Sequence, residues 1–232
     1  MIIERDVDCG ALYERKRCEL MALGRALTEA QLHEVVAATP AWSIRDVMSH
    51  LVGITADLNA LRFGEGDADA WSAEQVRTRR GKSIDELGDE WDTEAPRFED
   101  GLRLLGYEIG SHYVGDLVQH MADIDHALGQ SRIPDADEAL AVALDFYVDA
   151  FHEALVGAKV GSVIVRVADE EWVVGGGPAV ATLTATRFEA FRCFGGRRSE
   201  QQIRALDWTG DLDAVLGSVS AYPLPQNDID EG

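Results

Sequence analysis

The pattern of apolar and polar positions predicts helices over most of the first 155 residues. Apolar side chains return every three or four positions, which places them on one face of a helix. Stretches with this pattern cover residues 6–26, 43–63, 83–105, 109–128 and 134–155. The loops between them are short enough for neighbouring helices to pack antiparallel. The chain is therefore expected to begin with a bundle of at least four helices.

The boundaries of these helices carry signals of their own. Ser43-Ile-Arg-Asp46 has the spacing of a capping box, in which each of the two side chains bonds the backbone N–H of the other residue. The same motif recurs at Ser83. Pro96 falls inside the third long stretch and is expected to kink that helix or to split it at Ala95.

The pattern changes near residue 158. Residues 162–167, 171–174 and 179–186 are rich in β-branched side chains and are separated by turn residues, so they are predicted to be strands. Short helices are predicted at 188–194, 201–206 and 212–218. We therefore expect a mainly α protein in which a four-helix bundle is followed by a small α+β domain. The expected divisions are residues 1–157 for the bundle, 158–222 for the α+β domain and 223–232 for a polar, disordered tail.

The charge of the chain narrows the range of partners. The 232 residues include 21 Lys and Arg against 42 Asp and Glu, a net charge of -21. Nucleic acids and anionic membranes bind clustered basic residues, so neither is an expected partner. The first residues carry acids and no apolar run, which argues against a signal peptide, and no window reaches the roughly 18 apolar residues of a membrane span. The three widely spaced cysteines match no disulfide or zinc pattern, and a reducing cytoplasm is the expected location.

Four polar side chains in the predicted bundle suggest a metal site. His112, Asp116 and His120 follow one another at intervals of four and therefore share one face of a helix. His50 lies on the apolar face of an earlier helix. Imidazole and carboxylate groups are the usual ligands of zinc and similar divalent ions, so these side chains predict a metal pocket between helices. A histidine on an apolar face is also commonly a plain core residue, and that interpretation of His50 stays open.

Other polar residues are candidates for supporting roles. Asp123 comes three residues after the last of these histidines, and Asp46 lies one turn before His50, so each is placed to orient a ligand ring. Arg197 and Arg198 are candidates to clamp a carboxylate of the substrate, because guanidinium groups bind carboxylates in a bidentate manner. The alternative for this arginine pair is an ordinary exposed turn.

Three segments carry a family resemblance. They are PAWSIRDVMSHLVGI, DLVQHMADIDHALG and FGGRRSEQQ, the last followed by LDWTGD, and they occur in this order across nearly the whole chain. In these segments the chain resembles the mycothiol-dependent maleylpyruvate isomerase family, part of the wider DinB-like group of metal-binding four-helix bundles. The resemblance implies that His50, Asp116 and His120 hold a divalent metal, usually zinc. It also implies that the carboxy-terminal part has a sterol-carrier-like form and adds polar contacts to an anionic substrate.

One ligand departs from the family pattern. The acid of the family is commonly glutamate, whereas Asp116 has a side chain that is one methylene shorter. Zinc is still the expected ion, but the shorter acid leaves nickel and manganese as alternatives and makes His112 a candidate for an additional ligand.

The resemblance implies an enzyme that uses mycothiol or a similar low-molecular-weight thiol. The expected reaction is an isomerisation or an S-transfer on a small anionic or electrophilic substrate, carried out by a monomer or a homodimer. Two alternatives stay open, namely a non-catalytic ligand-binding or regulatory bundle and a zinc-dependent hydrolase of thiol conjugates. A closed shell of four ligands that includes His112 would favour a structural metal, whereas three ligands leave a coordination position open for chemistry.

Overall fold

The structure, a computed structural model, describes residues 3–64 and 66–231. Its contacts group these residues into two compact units. One unit consists of residues 6–130, and the other consists of residues 131–231 together with residues 3–5. Each unit is described by itself below.

The described part of the first unit contains six helices. They are α1 (Cys9–Ala26), α2 (Glu29–Leu32), α3 (Ile44–Asn59), α4 (Ala68–Arg79), α5 (Ile84–Leu105) and α6 (Tyr107–Ala127). The long helices α1, α3, α5 and α6 pack on one another as a four-helix bundle, and α4 packs against α3. This arrangement confirms the predicted bundle. Among the helices of the described residues, none combines the length and the apolar character needed to cross a membrane.

A buried hydrogen-bond network ties three helices of the bundle together. Trp91 of α5 is fully buried, and its indole N–H donates to Oγ1 of Thr55 on α3 over 3.0 Å. The hydroxyl groups of Tyr13 on α1 and Thr55 lie 3.3 Å apart. The Thr55 hydroxyl in turn donates to the backbone carbonyl of Leu51. These bonds avoid the penalty of about 1–3 kcal/mol that a buried polar group without a partner would carry.

The local helix signals are largely confirmed. Complete capping boxes open α3 at Ser43 and α5 at Ser83. Helix α5 runs through Pro96 as one element, so the expected split of this helix does not occur. Proline removes one backbone hydrogen bond and crowds the preceding turn. Trp91 and Phe98, on either side of it, are both buried in the bundle, and this burial holds the two halves of the helix in place.

The second unit combines helices with a sheet. Its described elements are α7 (Glu138–Ala158), β1 (Ser162–Val167), β2 (Glu170–Gly175), β3 (Ala179–Ala185), α8 (Arg187–Phe194), α9 (Glu200–Ala205), β4 (Asp207–Gly210), α10 (Leu212–Val215) and a short 3-10 helix (Leu216–Ser218). The strand order is β2-β1-β3-β4, with β1 parallel to β3 and the other two pairs antiparallel. The predicted small α+β part is therefore confirmed. The sequence did not predict β4, because four residues are too short for an alternating pattern to show.

Helix α7 belongs by its contacts to the second unit. It packs against α8 and β2, whereas the sequence interpretation assigned it to the bundle. The compact units divide between residues 130 and 131, and the domain division after residue 157 stays a prediction.

The segment from residue 223, predicted to be a disordered tail, makes specific contacts in the structure. Ile229 is buried, and its backbone N–H and carbonyl both bond the side chain of Gln202. The carboxylate of Glu231 accepts hydrogen bonds from Arg192 and Arg198. Glu231, one of the polar residues that suggested disorder, is therefore a hydrogen-bond partner of two buried arginines. Gly232, the last residue of the predicted tail, lies outside the described residues.

Candidate metal centre

Helices α3 and α6 bring three potential ligands together. The ligand atoms of His50 on α3 and of Asp116 and His120 on α6 all lie within 4.8 Å of one another. Nε2 of His120 is 3.7 Å from Oδ1 of Asp116. Ligand atoms about 2.1 Å from a tetrahedral ion lie roughly 3.4 Å apart, so small side-chain rotations would suffice to hold an ion. The donor set of two imidazoles and one carboxylate thus fits a divalent metal.

Burial divides the cluster into an inner and an outer part. His50 is 5% exposed and His120 is 6% exposed, whereas the side chain of Asp116 keeps 29% of its surface accessible. The two imidazoles are therefore held by the packed bundle, and the carboxylate borders solvent. An ion bound here would have an accessible side for a further ligand.

The buried position of His50 favours the neutral form of its ring, which is the form that binds metals. Burial, and after it the charge of His120, lower the pKa of His50 to about 4. At neutral pH the ring is therefore uncharged, and no proton has to leave it before a metal binds. The same burial argues that an unpaired imidazolium would be unstable at this position.

The outward-facing nitrogens of both rings have polar neighbours. Nδ1 of His50 lies 2.8 Å from Oε1 of Gln75 on α4, which leaves Nε2 for the cluster. Nδ1 of His120 lies 3.2 Å from Oδ2 of Asp123, whose side chain is completely buried. This second contact is close but is not a hydrogen bond, since the described structure gives Nδ1 of His120 no hydrogen-bond partner. Asp123 therefore lies beside the His120 ring, and its role in orienting that ring stays a prediction.

Two other sequence candidates have different surroundings. His112 stacks on Tyr113, with ring centroids 4.8 Å apart, and burial lowers its pKa. The ligand atoms that cluster in the described part of the chain do not include those of His112. Asp46 completes the capping box of α3, where its Oδ2 accepts bonds from the backbone N–H and the hydroxyl of Ser43. The hydrogen bond that the structure shows for the His50 ring joins its Nδ1 to Oε1 of Gln75, a residue that the sequence interpretation did not single out.

Gln75 gave no sequence signal because its relation to His50 is purely tertiary. The two residues are 25 positions apart and lie on different helices. A single glutamine in a short, mostly polar helix resembles any solvent-facing residue. Only the packing of α4 on α3 reveals that it is 1% exposed.

The two candidate arginines belong to the second unit. Arg198 is 4% exposed, and its Nε and Nη2 atoms bond the carboxylate of Glu189 over 3.0 and 2.9 Å. Its Nη1 atom bonds Glu231 over 2.6 Å. Arg197 donates through Nη1 to the carbonyl of Gly195. Arg198 thus forms a buried ion-pair cluster, and its predicted role as a substrate clamp stays a prediction.

The two buried cysteines provide no activated thiol. All three are free, with Cys18 exposed and the other two buried. Burial raises the pKa of Cys9 to about 11 and that of Cys193 to about 12. A thiolate is the reactive form, so these two buried thiols are inert at neutral pH.

Comparisons with known proteins bear on the amino-terminal part of the chain. Residues 14–108 match the family model described as the mycothiol maleylpyruvate isomerase N-terminal domain. This segment includes His50 and ends before Asp116 and His120, the two candidate ligands on α6.

One solved structure is also similar, a crystal structure of the mycothiol-dependent maleylpyruvate isomerase in which a histidine is replaced by alanine. The two chains are 11% identical, with a TM-score of 0.48 over 81% of this chain and 88% of that chain. No curated protein matches the sequence. The family match confirms the resemblance to the mycothiol maleylpyruvate isomerase family over residues 14–108 of this chain.

Proposed function

We propose that this protein is a divalent-metal-dependent enzyme that uses mycothiol or a similar thiol to isomerise a small anionic substrate or to transfer the thiol to an electrophile. The observation that carries the proposal is the cluster of three ligand atoms, with two buried imidazoles and one accessible carboxylate. The match to the mycothiol maleylpyruvate isomerase N-terminal domain adds the thiol and the reaction class. A three-ligand site leaves a position for a reacting molecule, which a closed structural site does not.

Each residue of the cluster has a distinct role in this proposal. His50, Asp116 and His120 would hold the ion. A bound divalent ion would supply a thiolate at neutral pH, because it lowers the pKa of a coordinated thiol. His50 needs no deprotonation at that pH, since burial already keeps its ring neutral. The buried carboxylate of Asp123 stands beside Nδ1 of His120 and favours a proton there, which leaves Nε2 for the ion.

The cysteine chemistry of the chain is consistent with an external thiol. Cys9 and Cys193 are buried with raised pKa values, and the described ligand cluster contains no cysteine. A sulfur nucleophile for the reaction would therefore come from a small molecule. The free state of all three cysteines also supports our proposal of a cytoplasmic location.

Zinc is the proposed ion, with nickel and manganese as alternatives. Two nitrogen ligands and one carboxylate suit zinc, and the same donors also bind these neighbours in the transition series. Asp116 replaces the longer glutamate of the family without leaving the cluster, since its carboxylate oxygen stays within reach of both imidazoles.

Arg198 is the proposed clamp for an anionic substrate. Its guanidinium group already binds Glu189 and Glu231. A substrate carboxylate would take the place of Glu231 at Nη1 of Arg198, because guanidinium N–H groups donate strong hydrogen bonds to carboxylates. Arg197, which donates a hydrogen bond to the backbone carbonyl of Gly195, is the second candidate for this role.

The direct test is a reaction that needs both metal and thiol. Zinc-loaded protein is mixed with maleylpyruvate, with and without mycothiol, and the substrate isomers are separated by chromatography. We expect isomerisation only when zinc, mycothiol and the unmodified protein are all present, and we expect none with His120→Ala. Turnover of mycothiol conjugates by water, without any need for free thiol, would support the hydrolase instead. Stoichiometric metal binding without turnover of either substrate class would support the regulatory bundle.

A further inference from the structure

Side chains on one face of α3 and one side chain of α4 form a series of hydrogen bonds that ends at His50, one of the three proposed metal ligands. His50, Gly53 and Asp57 follow one another at intervals of three and four, so they share a face of α3. Gln75 of α4 packs across this face. Its Oε1 atom lies 2.8 Å from Nδ1 of His50, and its Nε2 atom donates to Oδ2 of Asp57 over 3.0 Å.

The donors and acceptors in these groups determine which atom carries the proton in each of these hydrogen bonds. Asp57 is a carboxylate whose Oδ1 accepts bonds from Arg62, so its side chain accepts and does not donate. Gln75 must therefore turn its NH₂ group towards Asp57 and its carbonyl oxygen towards His50. A carbonyl oxygen only accepts, so Nδ1 of His50 must carry the ring proton. The lone pair of the neutral ring is then on Nε2, the nitrogen left for the cluster.

We propose that Asp57 and Gln75 are positioning residues that set the tautomer of His50 and so direct its Nε2 lone pair towards the metal site. The benefit to metal binding rests on the proposed function, whereas the choice of tautomer does not. Asp57 acts on His50 only through Gln75. A free amide can rotate by half a turn and exchange its donor and acceptor, and the carboxylate prevents this exchange.

A glycine provides the close approach on which this series of hydrogen bonds depends. A Cβ atom at Gly53 would lie 2.5 Å from Cβ and 2.7 Å from Cγ of Gln75. No real side chains approach so closely, so any larger residue at this position would displace Gln75. Gly53 thus allows α4 to come near enough for the amide to reach His50. It also offers a way to disturb the contact without altering any hydrogen-bonding group.

The first experiment reads the tautomer directly and needs no metal. The metal-free protein is labelled with ¹⁵N, and long-range proton–nitrogen NMR spectra show which ring nitrogen of each histidine carries the proton. The His50 signal is assigned from its loss in His50→Asn. We expect the proton on Nδ1 in the unmodified protein and its partial or complete transfer to Nε2 in Gln75→Leu and Gly53→Ala. A proton on Nε2 in the unmodified protein, or an unchanged spectrum in both variants, would overturn the proposal.

Asp57→Asn tests the residue that is linked to His50 only through Gln75. An asparagine has almost the same shape but can present either an oxygen or an NH₂ group to Gln75. We expect the glutamine amide to populate both orientations, so that the His50 ring shows a larger Nε2–H population than in the unmodified protein. A His50 signal identical to that of the unmodified protein would remove Asp57 from the proposal.

The second experiment measures zinc affinity by competition with a chromophoric chelator. Loss of an outer partner of a ligating histidine typically weakens metal binding by about 10- to 100-fold, and we expect a change of this size in Gln75→Leu. Gln75→Glu combined with Asp57→Asn keeps an acceptor for Nδ1–H without setting two carboxylates 3.0 Å apart, and it should stay within a few-fold of the unmodified protein. Thr78→Val, on the following turn of α4, is the control for disturbance of the helix. Equal weakening in the double variant and in Gln75→Leu would show that an acceptor at position 75 makes no difference to zinc binding and would overturn the proposal.

The two experiments separate this inference from the proposed function. An unmodified protein that binds no zinc but carries its His50 proton on Nδ1, with the expected change in Gln75→Leu, would support the tautomer assignment and refute the metal-dependent function. An unmodified protein that binds zinc, with a His50 proton insensitive to Gln75, would do the opposite.

Discussion

The buried His50 ring makes the metal-free protein sensitive to acid. Burial lowers the pKa of His50 to about 4 in the folded protein, against an ordinary value of 6.5. Between these two values the unfolded chain binds a proton that the folded protein does not bind. The stability contributed by the neutral ring is therefore fully present above pH 6.5 and is lost as the pH falls towards 4. His120 and Asp116 face the same ring and contribute opposite, smaller effects to its pKa.

The size of this effect follows from the two pKa values. Lowering the pH from 8 to 5 protonates His50 almost completely in the unfolded chain and hardly at all in the folded protein. The resulting loss in the free energy of unfolding is about 2 kcal/mol, and the full loss below pH 4 is about 3 kcal/mol. A change of 2 kcal/mol is a large part of the stability of a typical domain.

Urea unfolding of the metal-free protein, followed by tryptophan fluorescence, measures the effect. The unmodified protein is compared with His50→Asn at pH 8, 6 and 5. The variant keeps a donor for Gln75 but has no group that titrates, and all other histidines are common to both proteins. We expect the free energy of unfolding to fall by about 2 kcal/mol more in the unmodified protein between pH 8 and 5. Parallel pH profiles for the two proteins would refute the argument from burial.

Three further predictions concern other parts of the chain. In the folded protein at pH 8, Ellman's reagent should titrate Cys18 rapidly and the other two cysteines only after denaturation, and more than one fast thiol would contradict their burial. Trp91→Phe should lower the free energy of unfolding in urea by about 2 kcal/mol, since it removes buried volume and the bond to Thr55, and a loss below about 0.5 kcal/mol would contradict this. Glu231→Gln should lower the KM for an anionic substrate, because it weakens an internal competitor for Arg198; a raised KM would count against the clamp.

The sequence was sufficient to predict the features that depend on neighbouring residues along the chain. Helical periodicity located the four bundle helices, and the capping motif at Ser43 located the start of α3 within one residue. The interval of four between Asp116 and His120 put both on one face of α6, because this spacing follows directly from helix geometry. The apolar face on which His50 lies pointed it into the bundle, where the structure brings it to the other two residues.

The sequence was insufficient to predict the features that depend on tertiary packing. Asp46 has a local partner in its capping box and therefore does not need to bond His50, whereas Gln75 reaches that ring from a helix 25 positions away. Pro96 lies within a continuous helix because buried neighbours outweigh its local cost. The contacts of Glu231 depend on buried arginines that are remote in sequence, so its polar surroundings alone suggested disorder.

The central claim is that His50, Asp116 and His120 bind a divalent ion, and metal content tests it most directly. The untagged protein, His120→Ala and His126→Ala are incubated with zinc, nickel or manganese, freed of excess ion and analysed by elemental mass spectrometry. His126 lies on the same helix outside the ligand cluster and serves as the matched control. We expect about one ion per chain in the unmodified protein and in His126→Ala, and none in folded His120→Ala. No bound ion in the unmodified protein, or full binding in His120→Ala, would contradict the account.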